Sequence, residues 1–587
     1  MTYSLDAIKP DTHKRLNTFA ALKKLLLILS NEKKSLVFAL LFILINAALN
    51  LVGPLLIGRT IDLYIQTKQY QGVLLFSGIL TVMYLTALVT SYLQTKLMGG
   101  VGQRVIYSLR NAVFIKLQEL PIAFFNENKA GDLISRINND TDKLSQFFSQ
   151  SLVQFIGSIF IMTGAGICLL SINMELGAAA LIPAAVLLLF TRFVTPWVKK
   201  RNAANMASTG NLSAEIQESL MNFKVVIAFN RRDYFVEKFE EVNRNNYTIA
   251  VKAGLANNLF MPVYGFFSNI GQLIVLAFGL FLISTGHFSV GLLISFLSYI
   301  NSFYNPLRQL AALWTNFQVA MAGWDRIAHI LSFENNLKIS TPQPEPCDSA
   351  AISFSQVSFS YPNGKEVLHR VSFELERGRT YAFVGPTGGG KTTTASLIAR
   401  LYDPTRGRVM LNGRDLRSYE PEERATRIGF ILQEPFLFSG TVRENILYGN
   451  NSCIEYTNDE LIELLTRAGL DSLLDRFETG LETKVLNSGE TISLGQRQLI
   501  AFMRAVLRRP EVLILDEATA NIDTITEQQL EAILKKLPRS TTRIIIAHRL
   551  NTIENADEIF FINETRIIRA GSMENAVHLL MNEKHES

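Results

Sequence analysis

Thr380-Tyr-Ala-Phe-Val-Gly-Pro-Thr-Gly-Gly-Gly-Lys-Thr392 runs from a short apolar strand, through a glycine-rich loop, into a helix that begins near Thr393. Within it, 385–392 spells Gly-x-x-x-x-Gly-Lys-Thr in the strand-loop-helix setting that a phosphate-binding loop requires. Gly385, Gly388 and Gly390 allow backbone N–H groups to curl around phosphates, with Pro386 and Thr387 completing the nucleotide-binding loop, and Thr393 lies at the helix N-terminus that favours an anion. Lys391 is placed to reach β and γ oxygens, and Thr392 offers its hydroxyl to Mg²⁺. Gly389 is one glycine more than the pattern needs. An apolar strand feeding such a loop fixes this part of the chain as α/β.

Two further strands support the loop. Val512-Leu-Ile-Leu515 ends in Asp516-Glu517, where Asp516 can hold Mg²⁺ and Glu517 can polarise an attacking water. Arg543-Ile-Ile-Ile-Ala547 delivers His548 at its tip. Strand ends gathered on one edge of a parallel sheet are where α/β ligand sites form, so His548 is assigned to a γ-phosphate.

The rest of the chain is different in kind. At 587 residues it exceeds one ordinary domain, and only 19% of its residues are charged, which points to a membrane. The formal charge of +5 fits the cytoplasmic lysine and arginine bias of membrane proteins and needs no nucleic acid. Cys168, Cys347 and Cys453 lack metal or disulfide spacing. Lys9, Lys14, Arg15, Lys23 and Lys24 precede any long apolar run and no cleavage pattern follows, so a cleaved signal peptide is not expected.

Six apolar runs, 36–57, 73–93, 152–172, 176–194, 259–283 and 288–307, approach the length of about 20 residues that a spanning helix needs. Lysine and arginine crowd the N-terminus, the stretch between runs two and three, and that between runs four and five, which places these segments and both chain ends in the cytoplasm. The two long loops carry helical apolar spacing, as in Ala214-Glu-Ile-Gln-Glu-Ser-Leu-Met-Asn-Phe-Lys-Val-Val-Ile-Ala-Phe229. A Pro-rich stretch, Thr341-Pro-Gln-Pro-Glu-Pro346, marks a linker. The expected division is a cytoplasmic segment 1–34, a six-helix transmembrane domain 35–330, a linker 331–350 and a nucleotide-binding domain 351–587.

These motifs together resemble the nucleotide-binding domain of ABC transporters, and the six preceding runs resemble a type I (type IV in newer usage) ABC exporter half-transporter. The resemblance covers nearly the whole chain from about residue 25. It implies that Tyr361, in Phe359-Ser-Tyr-Pro362, stacks on adenine, that Gln433 meets Mg²⁺ and faces the membrane domain, that 483–490 is the exporter X-loop, and that Asp523, in Ala520-Asn-Ile-Asp523, belongs to the D-loop. It also implies that two nucleotide domains close head to tail on two ATP molecules. Coupling helices near 126–133 and 219–226 would transmit closure to the spans. Moving such a switch from 1:99 to 99:1 takes about 5.5 kcal/mol of differential binding.

The family signature is Leu-Ser-Gly-Gly-Gln, and this chain has Ile492-Ser-Leu-Gly-Gln496. Ser493, Gly495 and Gln496 match and would act on ATP held by the partner chain; Leu494 replaces a glycine. Leu494 is either a harmless variant or the mark of an asymmetric pair, in which this chain supplies the sound Walker motifs and its partner the better signature. The expected protein is therefore an ATP hydrolase using ATP and Mg²⁺, paired with a second half-transporter, with a heterodimer favoured and a homodimer open. It would sit in the plasma membrane (a bacterial cell membrane), among lipid, and export small amphipathic, drug-like or lipid-like molecules. Asn46, Asn50, Asn269, Gln272, Tyr299, Asn301 and Tyr304 would line a cavity or join helices. The absence of a peptidase-like domain ahead of the first span disfavours a peptide-processing exporter. A homodimeric lipid flippase and an ATP-gated channel or regulator are the alternatives.

Overall fold

The computed structural model describes residues 5, 32–334, 337, 339–340, 350–362, 364, 366–450, 453–486, 492–516, 524–546, 556–563, 566–571, 574–576 and 578. Its helical part runs α1 (Lys33–Ile65), α2 (Tyr70–Glu119), the short α3 (Ile122–Glu127), α4 (Ala130–Ile172), α5 (Met174–Met221), the short α6 (Phe223–Ala228), α7 (Arg232–Ser284) and α8 (Val290–Ser332). Among the described residues, α1, α2, α4, α5 and α7 are long and apolar enough to cross a membrane. The sixth apolar run opens α8, where Asn301, Asn305, Tyr299 and Tyr304 dilute its apolar character. The long loops expected to be helical are continuous with the spans in α2, α4, α5 and α7.

Two compact units divide the chain. One comprises 11–117 and 131–332; the other joins Gln118–Ala130 to Phe333–Ser587, so α3 belongs with the α/β unit and not with the long helices on either side of it.

In the helical unit, small residues and polar side chains join helices. Gly58 and Gly291 meet where α1 and α8 touch, and a Cβ on Gly291 would lie 2.0 Å from the Gly58 carbonyl oxygen. Asp62 accepts from Gly291 N (2.8 Å) and Ser289 Oγ (2.5 Å), capping the start of α8. Polar residues of the apolar runs mostly bond between helices. Asn46 donates to Ala87 O (3.0 Å), Gln272 to Asn301 Oδ1 (2.9 Å), Tyr299 to Leu51 O (2.6 Å) and Tyr304 to Ala180 O (3.0 Å).

Below the apolar runs, a wide helical turn at Arg136–Asp140 in α4 turns Asp140 toward α8. Arg326 grips it with two bonds, Nε to Oδ2 at 2.7 Å and Nη2 to Oδ1 at 2.6 Å, and Lys143 Nζ stands 3.3 Å from Oδ1. Burial alone would raise the Asp140 carboxyl, but Arg326's hydrogen bonds and charge, with Lys143, hold it below its ordinary value. A depressed acid contributes stability above its unfolded pKa and loses it as pH falls through the folded one. Arg326 is 42% exposed. Asp140→Asn is therefore expected to cost about 2 kcal/mol at pH 7, discounted from the roughly 3–5 kcal/mol of a fully buried pair broken on one side. Thermal melts check this, with the gap to the parent closing only in acid below the usual carboxylate range.

The α/β unit contains β1 (Ala350–Ser360), β2 (Glu366–Glu376), β3 (Thr380–Val384), β4 (Arg406–Leu411), β5 (Arg414–Asp415), β6 (Ile428–Ile431), β7 (Gly440–Thr441), β8 (Lys484–Val485), β9 (Val512–Asp516), β10 (Thr542–Ile546), β11 (Glu558–Asn563) and β12 (Arg566–Arg569). An antiparallel sheet is ordered β2-β1-β4-β5, and a six-stranded sheet β12-β11-β3-β10-β9-β6 is parallel except at β12. β3 and β9 are buried along their whole length, which is why they read as unbroken apolar runs. Alternate residues serve two cores. Ala382, Val384, Leu513 and Leu515 pack on one face, and Tyr381, Phe383, Val512 and Ile514 on the other.

Candidate nucleotide site

Helix α9 (Lys391–Ile398) follows β3 through the glycine-rich loop, and its N-cap Gly390 has φ +104°. Gly389 is not the spare residue its sequence pattern suggests. A Cβ there would lie 2.7 Å from Ile562 O and 3.1 Å from Pro386 O, so β11 leaves no room for a side chain. Lys391 is buried, and its Nζ donates to Gly385 O (2.9 Å) and Pro386 O (2.8 Å), which places the ammonium at the mouth of the loop. Thr392 is exposed on the first turn. Thr393 is buried, and its hydroxyl shares a 2.9 Å bond with the Tyr361 hydroxyl, leaving its backbone N–H as its contribution to an anion site.

Strand order brings the other candidates to the same edge. β10 lies between β3 and β9 and β6 flanks β9, all parallel, with Ile546 aligned to both Phe383 and Asp516, and Ile431 aligned to Leu515. The ends of these strands therefore put the glycine-rich loop, Asp516 and the exposed Gln433 along one line. Asp516 is buried at its strand tip. Thr392, Asp516 and Gln433 offer only oxygen donors of the hard type that suits Mg²⁺. Glu517, Asp523 and His548 lie outside the described residues, as does 487–490 of the X-loop.

Tyr361 is half-buried, held edge-on between Phe359 (5.0 Å, 82°) and Tyr402 (5.2 Å, 88°). Such edge-to-face pairs fix ring orientation.

Ser493 is the N-cap of α10 (Leu494–Leu507). Its hydroxyl accepts from Gln496 N (3.1 Å), while Gln496 Oε1 accepts from Ser493 N (2.9 Å). This reciprocal cap orients the helix N-terminus, with the amides of Leu494 and Gly495 in its first turn and the Leu494 side chain half-buried. Gln496 Nε2 also donates to Arg476 O at 2.7 Å.

Two structural residues, Arg504 and Tyr402, have no counterpart among the sequence motifs. Arg504 on α10 donates to Asn445 O (2.8 Å) and Phe436 O (3.1 Å) and lies over Tyr448, tying down the segment after Gln433. Burial pushes the Arg504 guanidinium below its usual value. Tyr402 and Asn126 meet beside Tyr361.

A glycine-rich phosphate loop, a strand-tip aspartate and a capped signature helix, on one chain with long apolar helices, define a membrane protein driven by ATP. The chain belongs to the ABC transporter family: residues 36–307 match the ABC transporter transmembrane region and 368–520 the ABC transporter domain. It is 32% identical over 96% of its length, and 92% of the relative's, to an uncharacterised ABC transporter ATP-binding protein of Bacillus subtilis. A fatty acid ABC transporter ATP-binding/permease protein of Mycobacterium tuberculosis is 34% identical over 84% of this chain and 77% of its own. A multidrug resistance ABC transporter ATP-binding and permease protein of Lactococcus lactis is 31% identical, covering 84% and 83%. The fold matches the solved structure of a bacterial Atm1-family ABC exporter with ATP bound, with a TM-score of 0.75, 23% identity, and coverage of 94% of this chain and 96% of that one. The chain binds ATP and couples its hydrolysis to transport as a multi-pass exporter of the kind that works as a dimer.

Proposed function

We propose that the chain is the hydrolytically sound half of a heterodimeric exporter that moves small amphipathic molecules, drug-like or lipid-like, out through the plasma membrane. The observation that carries this reading is the shared sheet edge. The phosphate loop, Asp516 and Gln433 line up there, while the signature helix of the same chain opens with Leu494 in place of glycine. The fatty acid transporter and the multidrug resistance transporter among the relatives support a lipid-like or drug-like cargo.

Each residue then has a task. The loop amides and Lys391 hold the β and γ phosphates, and Tyr361 supports the base. Thr392, Asp516 and Gln433 would hold Mg²⁺, which when bound neutralises phosphate charge. Glu517 takes the proton of the attacking water, and His548 steadies the γ-phosphate. Ser493, Gly495 and Gln496 present their helix N-terminus to ATP on the partner, with Asp523 beside that contact. The nucleotide domain is cytoplasmic.

Inside-out vesicles holding this chain with and without the product of a neighbouring half-transporter gene test the reading, with ethidium and a fluorescent fatty acid as probes. ATP-driven uptake of at least one probe is expected only with both chains present. Full probe-stimulated ATP turnover by this chain alone would sink the heterodimer.

A further inference from the structure

A cavity of about 490 Å³ opens between α1 and α2, walled by Phe38 and Phe42 of α1 and by Leu93 and Leu97 of α2. That volume lies within the roughly 300–1,000 Å³ of small-molecule clefts. Phe38 and Phe42 are one helical turn apart, and Leu93, Leu97, Gly100 and Arg104 recur at helical spacing, so each helix gives the groove a single face. Buried Ala39, Ile43, Met98 and Val153 pack together, which joins α1 and α2 to α4. Phe38 nonetheless remains 55% exposed. Gly100 keeps the groove open, since a Cβ there would meet Arg104 Nη1 at 3.1 Å.

Two cations complete the lining, Lys96 and Arg104, and they are not equivalent. Arg104 is bound to Glu32 by two bonds, Nε to Oε1 at 2.6 Å and Nη2 to Oε2 at 2.8 Å. Those bonds hold the Glu32 carboxyl below its ordinary value, so the pair carries no net charge at neutral pH. Lys96 is exposed and has no hydrogen-bond or ion-pair partner among the described residues. One uncompensated positive charge therefore borders an apolar groove. Depth separates the two cations as well. Leu93 closes the second apolar run, and at about 1.5 Å per residue Lys96 lies about 4–5 Å beyond it and Arg104 about 16 Å. The headgroup layer is roughly 5–8 Å deep on each side of the hydrocarbon core. Lys96 is thus at the level of a lipid phosphate, and Arg104 is past it.

We propose that this groove holds an anionic phospholipid of the adjacent leaflet, its acyl chain against Phe38, Phe42 and Leu93 and its phosphate on Lys96. The lysine and arginine bias of the chain makes that leaflet the cytoplasmic one. Apolar walls select a lipid over a water-soluble anion, and the single uncompensated lysine selects a singly charged headgroup over a zwitterionic one. None of these residues belongs to the nucleotide site.

Tryptophan quenching by brominated lipid reads the groove in the assembled transporter. Phe38→Trp keeps an aromatic wall, and the parent's signal from Trp197, Trp314 and Trp324 is subtracted. The vesicles contain equal parts of phosphatidylcholine and phosphatidylglycerol, with one or the other brominated. Brominated phosphatidylglycerol is expected to quench the added tryptophan about fivefold more effectively than brominated phosphatidylcholine, the scale of one lysine's attraction to an anionic bilayer. Adding Lys96→Gln should bring that preference below about 1.5-fold. Adding Gly100→Leu, which fills the groove and leaves every charge in place, should do the same. Gel filtration of each variant checks that the transporter stays assembled. A preference near one in Phe38→Trp, or one unchanged by Lys96→Gln, overturns the proposal. A preference that survives Gly100→Leu belongs to surface charge and overturns the groove. Loss of the preference on adding excess glycerol phosphate would make the ligand a free phosphate, and loss on adding a trace of oleate would make it a fatty acid; either result overturns the phospholipid.

Discussion

Lys391→Met is expected to lower ATP turnover about a thousandfold and to weaken ATP binding about tenfold or more. Removing one preorganised donor from developing charge typically costs about 10²–10³ in turnover, and a full positive charge in a buried setting acts more strongly than a neutral donor. Lys391 meets that description: it is 5% exposed, and its ammonium is aimed by the carbonyls of Gly385 and Pro386 at 2.9 and 2.8 Å. Methionine keeps the length and apolar volume of the stem, so the loop loses a charge and not its packing. Two loop carbonyls lose their donor in the exchange, which costs some stability. A thermal melt on the same preparation therefore accompanies turnover and fluorescent-nucleotide binding. A folded Lys391→Met protein that retains more than about a tenth of parental turnover would show that the loop's amides suffice and that the lysine's role has been overstated.

How much of this was legible in the sequence depends on whether the signal was local. β3, its loop and α9 form one contiguous stretch, and β9 reads as a buried run because both its faces are covered; each is legible in the sequence. The helix after the loop begins at Lys391, two residues earlier than its sequence suggests, because Gly390 in the left-handed region ends the loop abruptly. The need for glycine at 389 is invisible locally because the atom that forbids its side chain, Ile562 O, is far along the chain. The same distance hid Arg326 from Asp140, and Asn126 from Tyr402. Ser493 and Gln496 show the reverse. Their three-residue spacing is a capping box that local sequence displays openly, inside the same residues that form the signature motif. Likewise the polar residues of the apolar runs are compatible with a cavity lining, though bonds between helices are the commoner use of such residues. Tyr299 and Tyr304 chose bonds because a phenol in a tightly packed cluster must find an acceptor.

Glu517→Gln is the change that tests both halves of the functional reading at once. A general base contributes about 10²–10⁴ in rate, so turnover at the site built on this chain's phosphate loop should fall about a thousandfold. The amide matches the carboxylate in size and leaves Asp516, buried at the strand tip beside β10 and β6, undisturbed. ATP binding should therefore persist, in contrast with Lys391→Met. The variant should retain ATP through gel filtration, a trapped state that the lysine variant cannot reach. The size of the residual rate then carries information about symmetry. In a pair whose second site hydrolyses poorly, silencing this one removes nearly all turnover by the assembled transporter. In a pair with two equal, independent sites, about half remains, and that outcome would remove the reason for assigning Leu494 to an asymmetric partner. Turnover equal to the parent's would instead dismiss Glu517 as the base. Loss of nearly all turnover is set apart from the other two outcomes by orders of magnitude and those two differ twofold, so replicate steady-state phosphate release with nucleotide retention on one preparation decides among them.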